Sequence, residues 1–278
     1  MPPCVQPVPL TEISVRDACR TLNMAYQGYI VPVSFDPLSL VRRVQAEDID
    51  LVSSRLLVVE QKPAGIMLVA RRGRASRIAA LGIVPELRGA GIGAQAVALA
   101  IGEARSRGDV RLLLEVIETN HRAISTYAKA GFVTRRRLVG YAHDPIRSDD
   151  GVLSCPAAET LAVLAGAYPD DPSWQTSPLC FAGAVEPVEG FRASDGSVVA
   201  LVDGAGKAAR LLAFAVAPSK QRQGLGRRFM RGLLGRFPDK SWAISATLPE
   251  CQASSFLAST GWSRSPLTQL EMEILLAS

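Results

Sequence analysis

Two short clusters recur along this chain in the same order and with the same internal spacing. Such a recurrence constrains the architecture before any single residue is interpreted. Pro85, Arg88, Gly91 and Gly93 correspond to Pro218, Gln221, Gly224 and Gly226. Ala123, Gly131 and Phe132 correspond to Ala253, Gly261 and Trp262. The proline and the late glycine are 46 residues apart in the first copy and 43 in the second. The chain therefore reads as two copies of one domain, expected at residues 1–145 and 155–278. The stretch His143–Pro156, with Asp, Gly, Ser and Pro in quick succession, reads as the linker. The length of 278 residues suits two domains that each bury a core of their own.

The first copy alternates strand-like and helix-like segments. Leu56–Glu60 and Ile66–Ala70 are apolar runs around Gln61–Gly65, a hairpin signal. Arg71–Ala75 reads as a turn, Ile78–Val84 as a buried strand, and the Ala-rich stretch from the glycines to about Arg107 as a helix. Arg111–Ile117 is expected as a strand, and Phe132–Tyr141 as another. Between them Asn120 is a good N-cap and Gly131 a good helix stop. The second copy repeats the pattern: strands at Val198–Val202, Leu211–Val216 and Trp242–Thr247, and helices from Gly226 to about Arg236 and over Gln252–Ser259. The fold class is α/β (α+β), a mixed sheet flanked by helices in each copy.

Composition excludes several classes of function. No run approaches the length of a membrane span, and MPPCVQPVPL does not look like a secretory leader, so a cytoplasmic protein with no membrane partner is expected. The five cysteines stand in no C-x-x-C spacing and there are only two histidines, so neither a disulfide framework nor a metal site is expected. No G-x-S-x-G elbow is present. Residues 1–150 hold 20 Lys and Arg against 15 Asp and Glu, whereas residues 151–278 hold 11 of each. The whole excess of +5 lies in the first copy. That suits an anionic ligand, or simply a solvated face. No basic run alternates with aromatics, so nucleic acid is not expected.

Gly89-Ala90-Gly91-Ile92-Gly93-Ala94 lies between a buried strand and a helix start. Small residues there let a ligand approach the backbone, and the N–H groups of a helix N-terminus point at anionic oxygens, the logic of a pyrophosphate site. A P-loop is excluded because no Lys-Ser/Thr follows the last glycine. A dinucleotide fold fits G-x-G-x-x-A, with Glu115 lying 26 residues after Gly89 as a ribose-binding acid. Against it, Pro85–Arg88 separate the strand from the first glycine, and hairpin strands precede the loop. A plain tight turn is the remaining alternative.

The sequence resembles the GNAT superfamily of acyl-CoA-dependent N-acyltransferases. The family's glycine motif stands here as Val84-Pro85-Glu86-Leu87-Arg88-Gly89-Ala90-Gly91-Ile92-Gly93, and its downstream motif as Asn120, Ala123, Tyr127 and Gly131-Phe132. Both copies carry the resemblance, so a tandem member is expected, each domain with a mostly antiparallel sheet and a splayed central strand pair. The resemblance implies acetyl-CoA as co-substrate. Its pyrophosphate would be held by the backbone amides of Gly89, Ala90, Gly91, Ile92, Gly93 and Ala94, its pantetheine arm would pair with Ile83 and Val84 and lie against Asn120, and Arg88 and Tyr127 would also be cofactor-binding residues. It implies direct attack by an amine in a ternary complex, the acceptor being a small molecule or a peptide amine.

Asn120, Ala123 and Tyr127 fall at i, i+3 and i+7 and share one helix face. Tyr127 would donate a proton to the departing thiolate, and otherwise would be a core-edge residue. For the base, the strand before the glycines holds no acid. Glu115, Glu118, His121, Glu47, Asp48 and Asp50 remain, with Glu115 favoured because an apolar strand would raise its pKa. Otherwise Glu115 is the partner of a buried arginine, and water relays the proton elsewhere. By resemblance, Tyr26, Tyr29 and a helix near Glu47–Asp50 face the acceptor. In the second copy Glu250 and Leu257 replace Asn120 and Tyr127, so that copy is expected to be catalytically degenerate, within a monomeric pseudo-dimer or a homodimer. The competing class is a CoA-binding sensor or interaction protein without turnover.

Overall fold

The structure is a computed structural model describing residues 3–276 apart from 149–150, 169 and 185. The chain runs through β1 (Gln6–Pro9), α1 (Val15–Ala25), α2 (Pro37–Ala46), β2 (Arg55–Val59), β3 (Lys62–Arg72), β4 (Ala75–Ile83), α3 (Ile92–Ser106), β5 (Arg111–Ile117), α4 (His121–Lys129) and β6 (Val133–His143). It continues through β7 (Leu153–Cys155), α5 (Leu161–Ala167), α6 (Pro178–Ala182), β8 (Val188–Arg192), β9 (Val198–Asp203), β10 (Ala209–Val216), α7 (Leu225–Gly235), β11 (Trp242–Pro249), α8 (Ser254–Ser259) and β12 (Ser263–Leu275).

Two compact units result, 1–136 with 270–278, and 137–269. These bounds differ from the expected 1–145 and 155–278. The last stretch of β12 belongs to the first unit, where Met272 and Leu276, 2% and 4% exposed, enter its core. The Leu276 N–H donates to the Val110 carbonyl at 2.9 Å. The expected linker is not free of structure either. Leu153–Cys155 pairs antiparallel with Gly190–Arg192, because an edge strand without partners leaves its backbone groups unsatisfied.

In the first unit the sheet order is β1-β2-β3-β4-β5, with the end of β12 beyond β5. Strands β1 to β4 pair antiparallel and β4 pairs parallel with β5. This excludes the doubly wound parallel sheet of a dinucleotide fold. The hairpin between β2 and β3 turns at Glu60-Gln61, tighter than the expected Gln61–Gly65, with both residues left-handed (φ 49° and 62°) as a two-residue hairpin turn demands. Helix α3 buries Ile92, Ala96, Val97, Ala100, Ile101 and Ala104, an apolar stripe at helical spacing, against Leu112, Leu114 and Met67.

Helices α1 and α2 lie outside the elements expected from sequence. Ser14 caps α1 by accepting from the Asp17 N–H at 3.1 Å, and Asp36 with Ser39 forms a capping box at α2, with Pro37 in the first turn. The helix expected near Glu47–Asp50 stops at Ala46, and Asp48 is left-handed (φ 56°).

The second unit orders its strands β6-β11-β10-β9-β8-β7, antiparallel except for β10 with β11. Its core gathers Phe191, Val198, Val202, Phe229, Met230, Trp242 and Trp262.

One irregularity of the first sheet decides what the fold can hold. Leu68 faces Ala80 while Val69 faces Ile78, so Ala79 is an extra residue, a β-bulge in β4. The carbonyl of Ala79, turned out of the ladder, accepts from Arg43 Nη2 at 2.8 Å. Arg43 Nε donates to Glu47 at 2.9 Å, Arg77 Nη1 to Glu47 at 2.7 Å, and Arg77 Nε to Glu115 at 2.6 Å. The end of α2 is thereby tied to β4 and β5 at the bulge. Burial pushes the Glu47 carboxyl up, but Arg43 and Arg77 outweigh it and hold it at about 2, against 4.5 ordinarily. A carboxyl with a lowered pKa contributes stability that is present above its ordinary value and lost as pH falls through the folded value. The stability lost between pH about 4.5 and about 2 is expected to be on the order of 3 kcal/mol. In urea unfolding, Glu47→Gln should be less stable than the parent at pH 6 and should show a flatter decline below pH 4.5.

Candidate functional site

The registered pairs between β4 and β5 run from Ala75–Arg111 to Ile78–Leu114 and stop at the bulge. Beyond it, β4 and β5 splay. The slot so opened leads to the glycine loop. Pro85–Leu87 forms one 3-10 turn, Arg88 is extended, and Gly89 and Gly91 are both left-handed at φ 91° and 84°. Gly91 is the N-cap of α3 and offers no capping side chain, so the first-turn N–H groups of Ile92, Gly93 and Ala94 have no acceptor within the helix. A Cβ placed on Gly93 would meet only Ile83 Cγ1, at 3.9 Å, so the space beside this loop is open.

Arg88, expected among the cofactor-binding residues, turns its guanidinium to the protein's own backbone. Its guanidinium donates to the carbonyls of Ile83 at 3.0 Å, Ala25 at 3.0 Å and Gln27 at 2.6 Å. It clamps the loop to the end of β4 and the end of α1. The cation that does lie over the loop is Arg122, which the sequence motifs do not single out. Its Nη2 is 2.7 Å from where a Cβ on Gly89 would sit. Its signal in the sequence is weak: one exposed arginine among many.

Asn120 caps α4 as expected, its Oδ1 accepting from the Ala123 N–H at 3.2 Å. The Asn120 side chain lies near the Tyr29 hydroxyl and partly offsets the rise that burial gives its pKa. Tyr127 lies on the same helix face, 9% exposed. Burial pushes its phenol well above the ordinary value, and Tyr26 and Tyr29 are close enough to add to the effect. The Tyr26 and Tyr29 rings meet edge to face at 4.9 Å. Tyr26 lies under Gly82 of β4, where a Cβ would come within 3.1 Å of its ring. Burial raises the Tyr26 hydroxyl to about 12, with Arg43 and then the nearby Leu81 backbone amide pulling it back. Three tyrosines, Asn120 and the open end of β4 therefore meet at one place. The packing of α1 brings Tyr26 and Tyr29 there, a long-range contact that no local pattern announces.

The candidate acids Asp48, Asp50 and Glu115 each stand in an ion pair. Asp48 pairs with Arg72 at 2.6 Å and Asp50 with Arg71 at 3.0 Å. Glu115 holds Arg77, and burial pushes its carboxyl up by more than Arg77 pulls it down. His121 is exposed in the first turn of α4. Among the described residues, no group of three or more His, Cys, Asp or Glu is placed to hold a metal, and no helix is long and apolar enough to cross a membrane.

The second unit repeats this plan with altered contents. The register of β10 shifts between Leu211 and Ala213, a bulge at Leu212 that matches Ala79, and its pairing with β11 covers only Ala209–Arg210. Gln221 Nε2 donates to the Val216 carbonyl at 3.1 Å, as Arg88 does to Ile83. Arg222 and Gly224 are left-handed (φ 61° and 79°), as Gly89 and Gly91 are. Leu257, 3% exposed, stands in the place of Tyr127, and Glu250 pairs with Arg264 at 2.5 Å.

Residues 22–132 match the family model described as the acetyltransferase (GNAT) family. The first unit is a GNAT acetyltransferase domain. The whole chain has the fold of tandem GNAT proteins. A tandem GNAT protein from the clavulanic acid biosynthesis pathway aligns at TM-score 0.70 and 12% identity, covering 99% of each chain. A GCN5-related N-acetyltransferase from Sphaerobacter thermophilus aligns at TM-score 0.69 and 11% identity, over 99% of this chain and 96% of that one. A putative acetyltransferase from Pyrococcus horikoshii aligns at TM-score 0.67 and 15% identity, over 99% and 90%. No curated protein matches the chain by sequence.

The clamp made by Arg88 predicts that the GNAT loop depends on it. Arg88→Met leaves three carbonyls without their donor, at a cost of about 1–3 kcal/mol locally. Hydrogen exchange of the amides at 90–94 should quicken at least about tenfold, while exchange in β3 stays as in the parent.

Proposed function

We propose that the first unit transfers an acetyl group from acetyl-CoA to a primary amine of a small molecule or peptide. The observation that carries this reading is the meeting of Tyr127 and Asn120 with the splayed ends of β4 and β5, next to a glycine loop with unused N–H groups. In this reading the amides of Gly89 to Ala94 receive the pyrophosphate, with Arg122 adding a positive charge. The thioester arm lies in the splay along Ile83 and Val84, with Asn120 beside it.

The amine nitrogen attacks the thioester carbonyl carbon. As the tetrahedral adduct collapses, the C–S bond breaks and the electron pair stays on sulfur. Tyr127 gives its proton to that thiolate and regains one from solvent. Because burial raises the Tyr127 pKa, the phenol keeps its proton through neutral pH and remains a donor. The attacking nitrogen loses its own proton through water to Glu115, the carboxyl of this region that burial raises. Tyr26 and Tyr29 line the acceptor side.

Tyr127→Phe keeps the ring packing and removes the donor. Its kcat should fall about 100-fold or more with the Kd of acetyl-CoA within about threefold of the parent. An unchanged kcat removes Tyr127 from the mechanism, and acetyl-CoA binding without turnover towards a panel of amines favours a CoA sensor. Glu115→Gln should lower kcat/KM and abolish the acidic limb of its pH profile. A residue that only pairs with Arg77 would lower Tm and leave the shape of that profile unchanged.

A further inference from the structure

A second carboxylate stands against the candidate base. Strand β12 lies next to β5 in the sheet, and the Leu276 N–H at its end donates to the Val110 carbonyl at the start of β5, at 2.9 Å. The two strands therefore run in opposite directions, and following each from that bond brings Glu271 opposite Glu115. Both side chains are buried, Glu271 at 2% exposure and Glu115 at 6%. Like charges opposite each other on neighbouring strands destabilise a sheet, and burial sharpens the repulsion. Packing alone gives no reason for such a pair.

The two carboxylates are compensated unequally. Arg135 Nη1 donates to Glu271 at 2.8 Å and Arg136 Nε at 2.6 Å. Arg135 also lies 3.8 Å from Glu273. Glu271 thus has two guanidinium partners, whereas Glu115 has Arg77 and shares it with Glu47. Arg43 holds Glu47 from α2, and the Tyr26 phenol of α1 lies beyond Glu47. The charged groups around the pair come from β4, the end of α2, β6 and β12. Burial pushes the Glu115 carboxyl up, Arg77 pulls it down, and Glu47 and Glu271 push it up again. Of two neighbouring carboxyls, the one with less positive charge around it takes the proton.

The pair is confined to the first unit. By the spacing that sets Asn120 against Glu250, the residue matching Glu115 is Ser245. The copy that lacks the phenol lacks this carboxyl as well.

We infer that Glu271 is a positioning residue for the acetyl transfer: standing opposite Glu115, it makes Glu115 the carboxyl that takes up the proton released by the amine. The inference rests on the reading of Glu115 as the base. The proton passes from the attacking nitrogen through water to Glu115 and from there to solvent, and Glu271 contributes charge alone.

The test uses the full chain with isotope-labelled glutamate carboxyls, followed by NMR across pH. The Glu115 resonance is the one absent from Glu115→Gln. Its titration is compared with the acidic limb of kcat/KM for acetyl transfer. Glu271→Gln keeps the shape of the side chain and removes its charge. Glu115 should then titrate lower by roughly half a pH unit or more, and the limb should move down with it. Arg136→Gln removes a positive charge and should move both upward. Glu271→Asp, which keeps the charge, should lie closer to the parent than Glu271→Gln does. A Glu271 that only holds β12 in place would lower Tm in these variants and leave the Glu115 titration where the parent has it, and that result overturns the inference. A titration that moves while the limb stays fixed upholds the action of Glu271 on Glu115 and overturns the reading of Glu115 as the base.

Discussion

The extra residue at Ala79 is the constraint on which the rest of the first unit depends. A parallel strand pair with unbroken hydrogen bonding has no space for a ligand between its members. The bulge ends the pairing of β4 with β5 at Ile78, and past that residue the two strands enclose a gap with polar backbone on its walls. Such a gap is not self-supporting, because the carbonyl turned out of the ladder needs a donor. Arg43 supplies it, and Arg43 is in turn oriented by Glu47, which shares Arg77 with Glu115. Each charge in this buried chain has an opposite charge at hydrogen-bonding distance, the condition under which buried charges are tolerable. The network places the end of α2 at the bulge, and α1 then lays Tyr26 and Tyr29 beside the opening.

The second unit shows that this backbone device is separable from the chemistry it serves. The bulge recurs at Leu212, the pairing stops early again, and the loop takes the same left-handed turns even with Arg222 in place of a glycine. The side chains have diverged around that shared frame. Phe214 and Phe256 occupy the space that is open beside Gly93, Leu257 replaces the phenol, and arginines replace the small residues of the helix start. Apolar filling stabilises the splayed strands of the second unit. The same frame thus supports an open slot in one copy and a packed aromatic cluster in the other.

Much of this is legible in the sequence, and the reason lies in range. The glycine loop, the Asn120 cap and the face shared by Asn120, Ala123 and Tyr127 are local patterns in which spacing alone sets geometry. The features that escape depend on contacts between distant segments. Arg88 reads as a cofactor-binding residue from the motif, yet its guanidinium is held by carbonyls of Ala25 and Gln27, more than sixty positions away. The tie between Glu47 and Arg77 and the lie of Arg122 over Gly89 are of the same kind. Helix α2 escapes because its apolar face is short, with only Leu40 fully buried, so the capping box at Asp36 is its clearest local sign.

The return of the last strand to the first unit has a consequence for how this chain is made. Residues 3–136 can form their hairpins and helices as they emerge, but the core around α3 and β5 still lacks Met272 and Leu276. Until the whole second unit has been synthesised, that core has an unfilled flank and β5 an unpaired edge. The nascent first unit must wait, partly exposed, for a segment encoded far downstream. A gene fragment that ends between the two copies would sever the first unit from its own closing strand.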